Sequence, residues 1–136
     1  MAVSRLALKE FFRFGCVGGL GFVVNAGVTH AASQLANLYA AGLIGWFAAA
    51  SCTWFFNRIW TFAHRAKRPL LRQFLDFLGA NFMGFLVYYG TYSALIAGWP
   101  LAREHPVLAV AAGSIAGLAI NFTLSRRFVF RGPVEK

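Results

Sequence analysis

The chain has 136 residues, of which 59% are hydrophobic and only 12% are charged, and its formal net charge is +9. A water-soluble domain has roughly a quarter charged residues, so this composition cannot cover a water-facing surface and indicates a membrane protein. Nucleic acid is excluded as the expected partner because the Lys and Arg residues flank the apolar segments, which favours anionic lipid headgroups instead.

The apolar segments predict four membrane-spanning helices. From Phe14 to Asn57 there is no charged residue, and this stretch is long enough for two spanning helices of ~20 residues each, joined by a turn at 33–37. Two more uncharged segments follow, separated by a turn-rich break at 99–106. The predicted spans are about 14–35, 40–58, 74–98 and 106–126. The chain is therefore predicted to be an all-α membrane protein, with one transmembrane domain over 1–136.

The basic residues predict the orientation. All of the 13 Lys and Arg residues except Arg103 lie before the first span, between the second and third spans, or after the fourth. Because segments rich in Lys and Arg stay on the cytoplasmic side, both termini and a basic loop at about 63–72 are predicted to be cytoplasmic.

The sequence also predicts a duplication. Asn57–Phe62 (NRIWTF) and Ser125–Phe130 (SRRFVF) are similar and lie 68 positions apart. Rows of small or polar residues at four-residue spacing share this shift and predict helix-packing faces: Ala41, Gly45, Ala49 and Thr53 in one half, and Ala109, Gly113, Gly117 and Asn121 in the other. We predict a parallel two-helix repeat, with copies at about 9–62 and 73–130.

Three arginines are the candidate phosphate-binding residues. Arg13, Arg58 and Arg126 lie at the predicted cytoplasmic ends of spans one, two and four. Each is either an anchor that reaches to the headgroups or part of a cluster that grips a phosphate through paired hydrogen bonds. Asp76 either pairs with an arginine or caps span three. Aromatic rings at the same end, including Trp60 and Phe128, predict an interfacial belt that supports the arginines.

Polar side chains inside the spans have two interpretations. They either form hydrogen bonds between helices or offer a path to a cargo rich in hydroxyl groups, and Asn121, on a small-residue row, fits the bridging role best. The candidate path residues are Asn25, Asn57, Asn81, Tyr88 and Asn121.

The distribution of carboxylates argues against several kinds of catalysis. Glu10, Asp76, Glu104 and Glu135 all lie outside the span centres. No carboxylate pair suits glycoside hydrolysis, no cluster suits a metal, and no nucleotide-binding motif occurs. We therefore expect no enzymatic activity, no catalytic residue, no metal and no cofactor.

The motifs resemble those of the GtrA-like family of four-span bacterial membrane proteins. The similarity runs from about Phe11 to Phe130, and its most specific element is Phe56–Phe62; position 128 is Phe where the family often has Trp. This resemblance implies a protein of the bacterial cytoplasmic (inner) membrane that moves polyprenyl-phosphate-linked monosaccharides for cell-envelope assembly. It also implies an alternative, in which the protein recruits or anchors a glycosyltransferase.

Two functional hypotheses follow. In the first, the protein is a flippase: the three arginines bind the cargo phosphate, the polar path receives the sugar, and the cargo moves down its own gradient. Four helices enclose little room for a hexose, so a homodimer through the small-residue faces is expected. In the second, the protein is a non-transporting scaffold, and its basic loop at about 63–72 docks a polyprenyl-phosphate glycosyltransferase.

Overall fold

The computed structural model describes residues 2–133, without the side chains of residues 2–4 and of Pro106. The carboxylate residue Glu135 and the basic residue Lys136, at the C-terminal end, lie outside the described residues. The regular structure is helical: α1 is Ala2–Ala32, α2 is Leu38–Phe56, α3 is Leu70–Gly98, α4 is Pro100–Glu104 and α5 is Pro106–Leu124. Two π-helical segments continue α2 and α5, at Asn57–Thr61 and Ser125–Val129; these are called the first and second π-turn.

Four helical segments are long and apolar enough to cross a membrane, which confirms the predicted spans and the all-α class. They are Arg5–Ala32, Leu38–Thr61, Leu70–Gly98 and Val107–Val129. The helices extend further than the apolar runs, because Arg and Lys are good helix formers even where they end a hydrophobic stretch. As a result, α1 begins at Ala2 and α3 begins at Leu70, inside the predicted loop. The chain is a multi-pass membrane protein.

The chain divides into two compact units. Unit 1 consists of the residues up to Leu70 together with Gly132 and Pro133, and unit 2 consists of Leu71–Arg131. Unit 1 therefore contains α1, α2 and the first π-turn, and unit 2 contains α3, α4, α5 and the second π-turn. In unit 1 the returning chain end is held by a backbone hydrogen bond from Ala66 N to Pro133 O, at 3.3 Å.

Both rows of small residues pack against the other long helix of their own unit. In unit 1, Gly45 faces Asn25 and Thr29 on α1, and a Cβ at Gly45 would lie only 2.9 Å from the Asn25 carbonyl oxygen. In unit 2, a Cβ at Gly113 would lie 2.8 Å from the Tyr88 carbonyl oxygen. This confirms that the rows are packing faces.

The same observation corrects the predicted dimer interface. Ala41 and Ala109 have no exposed surface, and Gly45, Gly113 and Gly117 are buried. These faces are already covered within each unit, so the prediction that a second copy docks on them is wrong. The homodimer itself stays a prediction.

The two π-turns make matching contacts. Phe62 N donates to Asn57 O and Phe130 N donates to Ser125 O, both at 2.8 Å. Each wide turn directs its following ring inward: Phe62 lies 6.4 Å from Phe14, and Phe130 lies 6.0 Å from Phe77, between ring centroids. These equivalent pairs favour the predicted duplication, which stays an inference. Because π-helical turns are frequent at functional sites, the ends of α2 and α5 are the first places to look for one.

Candidate functional site

A fully buried carboxylate lies beside the first π-turn. The side chain of Glu10 is 1% exposed, and its Oε1 accepts hydrogen bonds from Arg65 Nε and Nη2, both at 2.9 Å. His64 Nε2 lies 2.8 Å from the same oxygen. A buried charge is costly unless it is paired and hydrogen-bonded, and here two basic side chains from the segment after the π-turn surround it. Glu10 therefore ties that segment to α1.

A cavity of about 300 Å³ opens next to this cluster in unit 1, and its polar lining includes Lys9, Glu10, Arg13, Thr61 and His64. Lys9 and Arg13 are four residues apart on α1, so their side chains lie on the same side of the helix. Among the described residues, the Lys9 ammonium has no hydrogen bond or ion pair. The charge of Glu10 is matched by Arg65, so Lys9 and Arg13 leave an excess of positive charge at the mouth.

Arg13 is held in place at this cavity by the first π-turn. Its Nη1 donates to the Trp60 carbonyl oxygen at 3.1 Å, and its guanidinium carbon lies 5.2 Å from the centroid of the Trp60 ring. A guanidinium over an indole face is stabilised by the ring quadrupole. The Nε and Nη2 donors of Arg13 have no partner in the described part of the chain, so they remain available to an anion. Trp60, which was predicted as a supporting residue, thus lies in contact with Arg13.

The other two predicted phosphate ligands lie in different surroundings. Arg58 Nη1 donates to the Arg68 carbonyl oxygen at 3.0 Å, while Lys67 Nζ donates to the Arg58 carbonyl oxygen at 2.6 Å. Arg58 therefore uses one of its hydrogen-bond donors to hold the segment that follows the first π-turn. Arg126 belongs to the second π-turn in unit 2, and its convergence with Arg13 and Arg58 stays a prediction.

A second cavity, of about 440 Å³, lies near the other end of the α1–α2 pair. Its lining includes Phe22, Asn25, Thr29, His30 and Ser33. Thr29 Oγ1 donates to Asn25 Oδ1 at 3.1 Å, and the Asn25 Nδ2 donors have no partner among the described residues. At 1.5 Å per residue, Asn25 and Thr29 lie ~18 and ~24 Å from Arg13 along α1. Asn25, a predicted path residue, thus lines this cavity.

Asn57 has a structural role instead. It is 1% exposed, and its Oδ1 accepts a hydrogen bond from Thr61 Oγ1 at 2.7 Å. This pair lies inside the first π-turn, where it satisfies two polar groups that would otherwise be buried alone. Asn57 therefore stabilises the turn that positions Arg13.

The predicted polar residues of unit 2 contact one another or pack between helices. Asn121 Nδ2 lies 3.5 Å from Asn81 Oδ1, at the limit of a hydrogen bond, and Asn81 Nδ2 donates to the Phe77 carbonyl oxygen at 3.2 Å. This contact favours the bridging interpretation of Asn121, which stays a prediction. Tyr88 stacks on Tyr92 with ring centroids 6.3 Å apart.

One alternative for Asp76 is wrong. Asp76 was predicted either to pair with an arginine or to cap the third span, but α3 begins at Leu70 and has no acidic residue in its first turn. The carboxylate lies well inside the helix, because the charged residues before it are helical too. The ring of Phe128, in the second π-turn, is 57% exposed, as expected for an interfacial aromatic side chain.

No role at a ligand site was predicted from the sequence for Lys9, Glu10, His64 or Arg65. A signal for Glu10 was present: Glu10, Phe14, Val17 and Gly21 recur at three- and four-residue spacing, which places the carboxylate on the packed face of α1. The structure buries all four of these positions. A carboxylate on a buried face requires a basic partner, and His64 and Arg65 follow immediately after the predicted motif.

Comparison with known families gives one match. A family model described as "GtrA/DPMS, transmembrane domain" matches residues 13–130 of the chain. The matched region starts at Arg13 and ends at Phe130, so it includes both π-turns, the second, third and fourth spans, and the first span from Arg13 onward. No curated protein matches the chain.

Proposed function

Since the chain belongs to the GtrA/DPMS transmembrane-domain family, which suggests a role in lipid-linked sugar pathways, we propose that it flips a polyprenyl-phosphate-linked monosaccharide across the bacterial cytoplasmic membrane. In this proposal both termini and the Lys9–Arg13 end are cytoplasmic, as the distribution of basic residues predicts. The protein is a transporter without cofactor or enzymatic activity, and the cargo moves down its own gradient.

One observation carries the proposal: unit 1 has a cavity with polar side chains in its lining near each end of the same helix pair. Within the described residues, Arg13 offers guanidinium donors without a partner at one end, and Asn25 offers amide donors without a partner at the other. A carrier needs both, because a charged phosphate must be attracted at one face and a hydroxyl-rich sugar received at the other. The isoprenoid tail needs no cavity, since it stays in the lipid.

The predicted residues divide between these tasks. Arg13 captures the phosphate, while Arg58 and Arg126 contribute positive charge at the same predicted cytoplasmic side. Asn25 receives the sugar, with Asn81, Tyr88 and Asn121 as the candidate polar groups of unit 2. Anionic lipids of the inner leaflet interact with the remaining basic residues.

A second candidate function is supported by the segment 62–69. This segment has no helix, yet it is fixed by three hydrogen bonds. Arg65 Nε donates to Glu10 Oε1, Arg58 Nη1 donates to the Arg68 carbonyl oxygen, and Lys67 Nζ donates to the Arg58 carbonyl oxygen. A fixed basic segment is a suitable docking surface for a polyprenyl-phosphate glycosyltransferase. In that case the protein is a scaffold and transports nothing.

Flipping is tested in liposomes that contain purified protein and a polyprenyl-phosphate monosaccharide. The initial rate at which the sugar on the inner leaflet becomes accessible to a membrane-impermeant oxidant is measured. We expect the wild type to exceed protein-free liposomes clearly, and R13Q to be at least about tenfold slower, since charge-assisted hydrogen bonds contribute ~1.5–3 kcal/mol each. R103Q, at the opposite predicted face, is the matched control. A wild-type rate equal to that of protein-free liposomes would refute flipping and favour the scaffold.

A further inference from the structure

We infer that the cavity bounded by Lys9, Arg13 and His64 in unit 1 is a binding site for the single phosphate group of a lipid carrier, with or without its sugar, and that Glu10 is its positioning residue. The inference rests on the proposed function only for the class of ligand. Binding at this site requires no translocation, so the two ideas fail independently.

Both cations of this site have donors without a partner among the described residues. The Lys9 ammonium has no partner among the described residues, and Arg13 spends one donor on the Trp60 carbonyl oxygen. Four residues of helix separate the two by ~6 Å along the axis, so both side chains can reach one tetrahedral anion. A guanidinium with two adjacent free donors suits a phosphate better than a lone ammonium does.

Glu10 acts on the ligand through its neighbours. It neutralises Arg65 and is 2.8 Å from His64 Nε2, so His64 is held with its other ring nitrogen, Nδ1, without a partner in the described part of the chain. With Nε2 facing Glu10, a charged ring presents Nδ1–H as a donor to the phosphate oxygens, and a neutral ring presents Nδ1 as an acceptor for the P–OH of a phosphate monoester. A sugar-linked phosphodiester has no P–OH, so for that ligand this hydrogen bond requires the charged ring. In both cases the ring orientation set by Glu10 places Nδ1 at the ligand.

The cavity suits a lipid phosphate in size and surroundings. A water molecule takes up about 30 Å³ in the liquid, so about 300 Å³ holds a phosphate group together with water. Leu6 and Ala63 also line the cavity, and Leu8 and Phe12 on α1 are exposed. A hydrocarbon chain attached to the phosphate can therefore leave along an apolar surface.

Unit 2 does not repeat this site. At the corresponding positions it has Gln73 for Glu10, Asp76 for Arg13 and Val129 for Thr61. Gln73 is buried and its Nε2 lies 3.4 Å from the Val129 carbonyl oxygen, so a neutral amide stands where unit 1 has a carboxylate. Asp76 is an acidic residue where Arg13 is a basic one. The arrangement of Lys9, Arg13 and His64 is therefore not repeated at the corresponding described residues of unit 2.

The test is direct binding to the purified full-length protein in a non-ionic detergent. The probe is a short-chain, fluorescent polyprenyl phosphate, and the Kd is measured for the wild type, for K9Q/R13Q and for R72Q. Arg72 is the unit 2 counterpart of Lys9, so R72Q removes an equal charge. We expect the double variant to bind at least about 30-fold more weakly and R72Q to stay within twofold. Equal affinity of K9Q/R13Q and wild type would overturn the inference.

Competition separates the possible sources of the phosphate. Unlabelled polyprenyl phosphate should displace the probe, whereas polyprenol, inorganic phosphate and phosphatidylglycerol should do so only at far higher concentration. Displacement by polyprenol at equal concentration would mean that the tail alone binds. Displacement by phosphatidylglycerol at equal concentration would mean an ordinary headgroup site. Both outcomes contradict a site for the lipid carrier.

The positioning role of Glu10 has its own readout. In protein with ¹⁵N-labelled histidine, the probe should shift the Nδ1 signal of His64, which is assigned with H64N. In E10Q this shift should be lost and the Kd raised about fivefold to tenfold, because His64 and Arg65 lose their charged anchor. If E10Q keeps the shift and the wild-type Kd, Glu10 is structural only. If K9Q/R13Q loses binding and the wild type does not flip the lipid, this site is upheld and transport is refuted. If K9Q/R13Q binds like the wild type and the wild type flips the lipid, transport is upheld and this site is refuted.

Discussion

Units 1 and 2 use the same packing scheme but different chemistry at one end. In both units a glycine of the first helix contacts the second helix, Gly21 against Thr53 and Gly84 against Asn121. In both, a π-turn directs a phenylalanine onto an aromatic ring of the first helix. The difference lies one turn beyond, where unit 1 buries the charged Glu10 and unit 2 buries the neutral Gln73.

The consequence of that difference is electrostatic. An amide is neutral and can be satisfied by neutral backbone groups, and Gln73 Nε2 lies 3.4 Å from the Val129 carbonyl oxygen, whereas a buried carboxylate requires cationic partners. Glu10 therefore fixes Arg65 and His64 beside α1 and shapes the cavity in which Lys9 and Arg13 are available. The helix packing tolerates either residue, and at this pair of equivalent positions the charged one occurs in unit 1.

The largest expected effect on stability comes from E10A compared with Q73A. E10A leaves the guanidinium of Arg65, whose side chain is only 12% exposed, without its counter-charge, and breaking a buried pair in this way costs ~3–5 kcal/mol. Q73A removes a neutral hydrogen bond and should cost ~1–3 kcal/mol. Thermal unfolding in detergent, followed by tryptophan fluorescence, should therefore rank E10A as the less stable variant. Equal losses would contradict the distinction between the two ends.

Glycine substitutions test what the units share. In G45A and G113A the added methyl group meets a backbone carbonyl oxygen of the neighbouring helix, at 2.9 and 2.8 Å, so each should lose ~1–3 kcal/mol through overpacking. Gly42 and Gly90 have no atom within 4 Å of an added Cβ, so G42A and G90A are the controls and should not be destabilised. A loss confined to one unit would show that the packing is not equivalent.

Substitutions inside the two π-turns should change stability by smaller amounts, and in opposite directions. T61V removes the hydrogen bond from Thr61 to Asn57 and should destabilise the protein by ~1 kcal/mol. In unit 2 the counterpart position is Val129, and Ser125 Oγ is buried without a hydrogen-bond partner among the described residues. V129T would supply a hydroxyl donor for it and should stabilise by ~0.5–1 kcal/mol. The melting temperatures of the two variants should therefore move in opposite directions; a shift of both in the same direction would contradict the equivalence of the turns.

Much of the fold follows from the pattern of residues. The uncharged segments are sufficient to predict four spans, and the recurrence of Gly45 and Gly113 within rows of small residues predicts the packing faces. What such a pattern leaves open is the partner of each face. Small-residue rows fit a second copy of the chain as well as a neighbouring helix, and only the three-dimensional arrangement shows that each row is covered within its own unit.

The site was predictable only in part, for a physical reason. Arg13 was identified because a charge at the end of an apolar run is conspicuous. Glu10 was passed over because it precedes the uncharged run, although its spacing from Phe14 already placed it on the packed face of α1. The π-turns have no simple sequence signature, so the carbonyl oxygen of Trp60 was not foreseen as the acceptor that orients Arg13.

The most direct test of the account is the flipping rate of K9Q compared with R72Q in the liposome assay. Both variants lose one positive charge at equivalent positions of the two units, so general electrostatic attraction to the membrane changes equally. The account predicts that K9Q lowers the initial rate by at least about tenfold, as expected from the loss of one charge-assisted hydrogen bond of ~1.5–3 kcal/mol, while R72Q keeps the wild-type rate. Equal slowing in both variants would contradict capture of the phosphate by unit 1.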